Sequence, residues 1–296
     1  MERKGGFVEM FGSKNMKFFL HNSKIKDAEI ILLGVPDSSG SKSKRKNEVS
    51  KAPDYIRNIS NQEEVFDKKK GRKTESSSGV IRKKVHDLGN LKKNTLRRQI
   101  LGILKSEKIP IVIGGDHSVT TEVMKGVNDC KKNISLVYFD AHPDIRCAED
   151  SYYGSVICDI GKLENFNEKK SIEVGTRAPE REEIENLKSK HMMTITPFDI
   201  QEIGIKKVFQ KIKRRVGKCK VYLSIDMDVV DPAFAPGVDT PVPGGLSSEE
   251  FLYLIKKITG LGLIGMDIVE VSPKHDIQEH TGHLVSRAIA EVIGSL

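Results

Sequence analysis

The run Ile134–Ser135–Leu136–Val137–Tyr138–Phe139, followed at once by Asp140–Ala141–His142–Pro143–Asp144, decides how this chain reads. Its first half is short, apolar and rich in strand-forming residues, as a buried strand should be. Its second half places metal-capable side chains at alternate positions just where that strand ends. In extended chain, residues i and i+2 point to the same side, so Asp140 and His142 can converge on one spot. A second segment repeats the device: Val221 to Ile225 leads into Asp226–Met227–Asp228.

Working outward, similar runs recur along the chain. The expected strands are Glu29 to Val35, Ile81 to His86, Ile109 to Ile113, Ile134 to Phe139, Lys170 to Val174, Met192 to Ile195, Val221 to Ile225 and Gly262 to Val269. Amphipathic stretches lie between them: Pro53 to Ile59, Leu91 to Lys105, Ser118 to Val127, Pro179 to Lys188, Ile205 to Val216, Ser247 to Ile258 and Thr281 to Ile293. Alternation of this kind predicts an α/β fold, a mostly parallel sheet wrapped on both faces. In such sheets ligands bind at the carboxyl ends of the strands, where the charged motifs sit. Residues 1–28 read as an N-terminal extension, partly flexible and poorly ordered over 1–15, and 29–296 as a single domain. The region from Ser38 to Ser78, rich in Lys, Ser and Asn, reads as long loop around the Pro53 helix.

Bulk properties narrow the function classes. In 296 residues, 38% hydrophobic, no apolar run approaches a membrane span, and Met1 to Gly12 lacks the apolar core of a secretory signal. Neither a membrane nor a nucleic acid is expected as partner. The net charge of +8 is concentrated in Lys42 to Lys46 and Lys68 to Lys73, without interleaved aromatics, and reads as solvated loop charge. The four cysteines, Cys130, Cys147, Cys158 and Cys219, have no metal-finger spacing, so a reduced, cytoplasmic setting is the default expectation.

Two more segments join the acidic ones: IVIGGDHS (Ile111 to Ser118) and VEVSP (Val269 to Pro273). Taken singly, each acid reads as a cap or loop residue. Together, His117, Asp140, His142, Asp144, Asp226 and Asp228 sit at the ends of three expected strands. Crowded carboxylates repel without cations between them, and a carboxylate-rich, imidazole-poor set suits Mn²⁺, with Mg²⁺ or Zn²⁺ as alternatives. Two such ions would activate a water for hydrolysis.

These blocks resemble the signature segments of the ureohydrolases, the family of arginase, agmatinase, formimidoylglutamase and guanidinobutyrase. The likeness runs from about Ile30 to the C-terminus. It includes LLGVPDSSGSKSKR, APDYIR, GGDHS, DAHPD, SIDMDVVDP followed by AFAPGVDTPVPGGLS, and VEVSP. The resemblance implies a three-layer α/β/α sandwich with a central parallel sheet, two Mn²⁺ ions per chain and attack of a metal-bridging hydroxide on a guanidino carbon. It implies that His117, Asp140, Asp144 and Asp226 hold one ion and Asp140, His142, Asp226 and Asp228 the other, with Asp140 and Asp226 bridging. Asp144 and Glu270 would be catalytic, Asp144 steering the hydroxide and Glu270 accepting hydrogen bonds from the guanidinium. Asp231 would either support the metal ligands from behind or be structural. A trimer or hexamer of identical chains is implied too.

Three departures stand out. The loop RCAEDSYYGSVICDIGKL (Arg146 to Leu163) lacks the histidine that relatives use to carry a proton, and Val156 reads as its vacated position. Three readings stay open: the enzyme works without that histidine, as the resemblance implies for formimidoylglutamases; His275, Cys158 or Asp159 substitutes for it; or the protein is impaired. Asp239 replaces a glycine beside the site, either as a solvated loop carboxylate or as a binder of the substrate's cationic tail. Asn90 stands where Asp is common and receives no role. The best-fitting activity is agmatine plus water giving putrescine and urea, a step of polyamine biosynthesis on a small cationic substrate. Arginase and formimidoylglutamase activities are the alternatives. A catalytically impaired metal-binding scaffold and a single-zinc deacetylase are more distant ones.

Overall fold

The computed structural model describes residues 16–41, 48–61, 83–147, 151–189 and 191–296. Eight strands form one all-parallel sheet: β1 (Ile30–Gly34), β2 (Val85–Asn90), β3 (Ile109–Ile113), β4 (Ile134–Phe139), β5 (Ile172–Val174), β6 (Met193–Ile195), β7 (Lys220–Asp226) and β8 (Leu263–Val269). Their order is β2-β1-β3-β8-β7-β4-β5-β6. The four strands whose ends carry the charged motifs, β3, β8, β7 and β4, are therefore neighbours at the centre. The second expected strand lies later than Ile81 to His86, because the ladder to β1 begins at Val85. Ile81 and Arg82 are outside the described residues, as are 1–15 and most of the loop expected between Ser38 and Ser78.

Successive strand residues face opposite sides and feed two cores. Ile30, Leu32, Ile111 and Ile113 pack with Ile56, Ile212, Leu254 and Ile289 on one face. Those last four come from helices α1 (Ala52–Ile59), α7 (Ile205–Val216), α8 (Ser248–Thr259) and α9 (His280–Ser295). Ile31, Leu33 and Val112 pack on the other face with Ile100, Val123 and Ile157. These belong to α2 (Leu96–Lys105), α3 (Ser118–Asn128) and α4 (Val156–Gly161). With α5 (Arg181–Ser189) and α6 (Pro197–Ile203), the result is the three-layer sandwich expected from the alternating pattern. Helices α4 and α6 are the two that the pattern did not show. Each is too short for helical periodicity to register, although the capping box of Thr196 and Asp199, with Pro197 at the first helical position, marks the start of α6.

A buried ion pair ties α1 to β2. Arg57 grips Asp87 bidentately, with Nε to Oδ2 at 2.8 Å and a second nitrogen to Oδ1 at 2.9 Å, and its remaining nitrogen donates to Asn90 Oδ1 at 2.5 Å. Asn90, given no role by the sequence, thus completes the coordination of a buried guanidinium. Asp87 Oδ2 also accepts the Phe18 N–H at 2.8 Å, and Phe18 is buried in the core, so residues around it pack on the domain. Among the described residues no helix is long and apolar enough to cross a membrane.

Candidate metal centre

The centre is built by chain turns at the carboxyl ends of the four central strands. After β3, Gly114 and Gly115 lead into α3. A Cβ on Gly115 would lie 1.7 Å from the Asp37 carbonyl oxygen, so only glycine permits this approach. Asp116 then accepts the N–H groups of Gly40 and Ser41 through Oδ2 and of Ser118 through Oδ1. It therefore fastens the 37–41 loop to the start of α3, and His117 is aimed back over the sheet.

His117 meets Asp140 at 3.0 Å and Asp144 and Asp226 at 3.3 Å, all from Nδ1 to a carboxylate oxygen. His142 Nδ1 stands 2.9 Å from Asp228 Oδ2 and 3.5 Å from Asp140 Oδ1. Two clusters result, His117–Asp140–Asp226 and Asp140–His142–Asp228, with candidate ligand atoms within 4.8 Å of one another in each. Asp140 is common to both, and Asp226 falls in the first. Asp144 is held beside the first by its contact with His117. All six side chains suggested by the sequence are thus brought together.

A hydrogen-bond chain that the sequence did not reveal sets the His117 ring. Ser224 Oγ donates to Asp267 Oδ1 at 2.7 Å and so accepts from His117 Nε2 at 3.0 Å. With Nε2 anchored on Ser224, the ring turns Nδ1 into the carboxylate cluster, the nitrogen that a metal ligand anchored through its other nitrogen would present to a cation. Tyr222 donates to the second oxygen of Asp267 at 2.7 Å. Tyr138 lies parallel to the imidazole, with ring centroids 4.7 Å apart, and donates to Asp144 at 2.6 Å. Polar residues inside otherwise apolar strands, Ser224 and Asp267, were the signal available for finding this support.

Electrostatics mark the cluster as one that needs cations. Burial, then the charges of neighbouring carboxylates, push Asp226 and Glu270 well above the ordinary carboxylate range, and burial with the Asp140 charge does the same to Asp144. Burial opposes protonation of His142, but its bonds to Asp140 and Asp228 outweigh it and push the imidazole up to about 12. Asp140 Oδ2 is buried with no hydrogen-bond partner, His117 being close but off the hydrogen-bonding line. An orphaned carboxylate oxygen amid four acids and two imidazoles is a donor set that divalent cations fit.

The backbone is strained at two of these residues. Asp144 and Glu270 have φ of 49° and 61°, a region that side-chain-bearing residues seldom adopt. Glu270 is held there by its N–H to the Gly115 carbonyl at 2.9 Å and by its own Oε1, which accepts the His117 N–H at 2.8 Å. The carboxylate thereby faces the cavity above the cluster.

That cavity, about 260 Å³, is lined by seven carboxylates, Asp116, Asp144, Glu180, Glu183, Asp226, Asp239 and Glu270, against Arg146 and His142 as the basic groups. Arg146 is itself engaged by Glu180 at 3.4 Å and Glu182 at 3.9 Å. Asp239 reaches the rim and contacts His275 Nδ1 at 3.1 Å. Asp231 accepts N–H groups of Ala233, Gly244 and Gly245 and so fastens its loop, the structural one of the two roles open to it.

Four readings of the 146–163 loop are corrected. Val156 is fully buried in the apolar core, so it is not a vacated position on the cavity wall. The residues of this stretch that line the cavity are Tyr152, Tyr153 and Gly154, and the Tyr153 phenol is pushed upward by burial, by its bond to Tyr152 and by charges including Glu270 and Asp144. Cys158 carries no thiol proton, since it is bonded to Cys147, and the expectation of four reduced cysteines gives way to one disulfide. Asp159 is occupied with Ser151, Ser155 and Lys162. His275 remains, at the rim.

Comparison with known proteins agrees with this geometry. The chain is 32% identical over 212 residues to the proclavaminate amidinohydrolase of Streptomyces clavuligerus, covering 69% of this chain and 67% of that protein. It is 33% identical over 180 residues to an agmatinase of Neisseria meningitidis, covering 60% of this chain and only 57% of the agmatinase. The agmatine ureohydrolase structure from Thermoplasma volcanium superposes with a TM-score of 0.81 at 27% identity, covering 96% of this chain and 94% of that one. The family model described as the arginase family matches residues 28–294, and with strand order, site and relatives in agreement the chain belongs to the arginase family.

Proposed function

We propose that this protein hydrolyses a guanidino group, with agmatine and water giving putrescine and urea. The observation that carries the proposal is a double carboxylate–imidazole cluster sharing Asp140 at the floor of an acidic cavity. The residues suited to hold two Mn²⁺ ions are His117, Asp140, Asp144 and Asp226 for one, and Asp140, His142, Asp226 and Asp228 for the other. Bound there, such ions supply the Lewis acidity that makes a water nucleophilic at neutral pH. Glu270 accepts the guanidinium's hydrogen bonds and fixes its plane, a charge-assisted match of fork to carboxylate. Asp144, steadied by Tyr138, orients the attacking water. The leaving amine must take a proton, and Tyr153 is a hydroxyl on the cavity wall suited to deliver it.

With Asp144, Asp226 and His142 given to the cations and Asp116 to its loop, the cavity keeps Glu180, Glu183, Asp239 and Glu270 against Arg146, a balance that favours a substrate cationic at both ends over one that carries carboxylates. Asp239 at the rim is suited to the distal ammonium. The proposal extends to a homo-oligomer, trimer or hexamer, acting in the cytoplasm on the route to polyamines. Disulfides in that setting are usually transient. The test is urea release by Mn²⁺-loaded protein from agmatine, arginine, guanidinobutyrate and formimidoylglutamate, with ammonia release followed in parallel. Agmatine is expected to be preferred. Fully metal-loaded protein that releases neither product from any of them would overturn the proposal.

A further inference from the structure

The disulfide joins two segments that each carry part of the site. Cys147 lies three residues after Asp144 and is exposed, whereas Cys158, in α4, is only 6% exposed. Two backbone hydrogen bonds run along the same seam. Arg146 N–H donates to Gly154 O at 2.9 Å, and Ile157 N–H donates to Asp144 O at 3.1 Å. The sulfur bond is the one covalent link across this seam among the described residues. It acts where the chain is held in the unfavourable backbone conformation of Asp144 and where Tyr153 and Gly154 line the cavity.

We propose that Cys147 and Cys158 form a reversible thiol–disulfide site that sets how firmly Asp144 and Tyr153 are held at the cavity. The reactant is a low-molecular-weight thiol of the glutathione class. Its thiolate attacks the sulfur of Cys147, the more exposed of the two residues, the Cys147–Cys158 bond breaks, and Cys158 leaves as a thiolate that takes a proton from solvent. A second thiol then displaces Cys147 from the mixed disulfide. The balance is one protein disulfide and two thiols giving two protein thiols and one small disulfide. Attack from the other end is disfavoured because Cys158 is shielded within α4. Once the bond is open, the seam loses its covalent tie and is left to non-covalent contacts, the two backbone hydrogen bonds among them. The site does not depend on which guanidino compound is the substrate.

The experiment is performed on the full chain. Thiol titration in denaturant should find two thiols, those of Cys130 and Cys219, in unreduced protein and four after incubation of the native protein in millimolar glutathione. Amide hydrogen exchange at Arg146 and Ile157 should then quicken about tenfold as the seam opens locally, with strand amides unchanged. Cys147→Ser, an exposed and mild change, should exchange like reduced wild type and ignore glutathione. The inference is overturned if all four thiols are free without reduction, if the bond yields only after unfolding, or if exchange at these two amides does not respond. A quickened seam in a protein that releases no urea would sink the proposed activity and leave this site standing.

Discussion

Replacing Glu173 by Gln is expected to stabilise the protein by an amount that grows with pH. Glu173 lies in β5, in register with Tyr138 of β4, and is 1% exposed. One of its oxygens has no hydrogen-bond partner, and the other has the Thr194 hydroxyl at 3.4 Å. Burial, followed by the Asp140 charge, raises its carboxyl from 4.5 to about 8. A carboxyl raised in the folded state contributes stability that is fully present below the unfolded value and is lost as pH rises through the folded value. Between these limits the unfolded chain ionises while the folded one keeps its proton. At ~1.36 kcal/mol per pH unit, Glu falls behind Gln by up to ~5 kcal/mol at the alkaline end, an upper figure because buried sites relax. Gln keeps the shape and removes the charge. Urea unfolding of both forms at about pH 5, 7 and 9 should give midpoints that nearly coincide in acid and diverge in base. Loading the protein with Mn²⁺ should narrow the divergence, because cations on Asp140 offset the second cause. A constant offset across the range would refute the reasoning.

Glu270→Gln is expected to cost ~1.5–3 kcal/mol of transition-state stabilisation with metal content near normal, as read by kcat/KM and elemental analysis, and coincident loss of metal would move Glu270 among the ligands. Tyr153→Phe should lower kcat ~10²-fold with little change in KM, and an unchanged kcat would remove the phenol from proton delivery. Val156→His should destabilise by about 2–4 kcal/mol in urea unfolding, because it puts a larger polar ring into a packed apolar core. A Val156→His protein of normal stability and faster turnover would instead return that position to the cavity wall.

The central strands and the six clustered ligand candidates were legible because the same residues satisfy two patterns at once. Ile134 to Phe139 and Val221 to Ile225 are apolar enough to be buried, and the charges that follow them fall at alternate positions where strands end. What stayed hidden depended on distance in sequence. Asn90 meets Arg57 only because α1 packs beside β2, and Ser224 meets His117 only because β7 lies one strand removed from β3. The position of Val156 was misread for a related reason. The single turn over Tyr153–Ser155 and the short α4 after it are too brief to show a period, so spacing cannot tell a residue facing the cavity, such as Tyr153, from one three places on that faces the core. The Cys147–Cys158 bond was equally unreadable, since four cysteines allow several pairings and none at all.

The most direct test of the metal centre is elemental analysis of Mn²⁺-loaded, desalted protein, wild type against Asp140→Ala and His142→Ala. Wild type should hold about two ions per chain. Asp140 belongs to both clusters, so its loss should empty both sites, whereas loss of His142 should leave the His117 site filled. An Asp140→Ala protein that is folded and still carries two tightly bound ions would contradict the account.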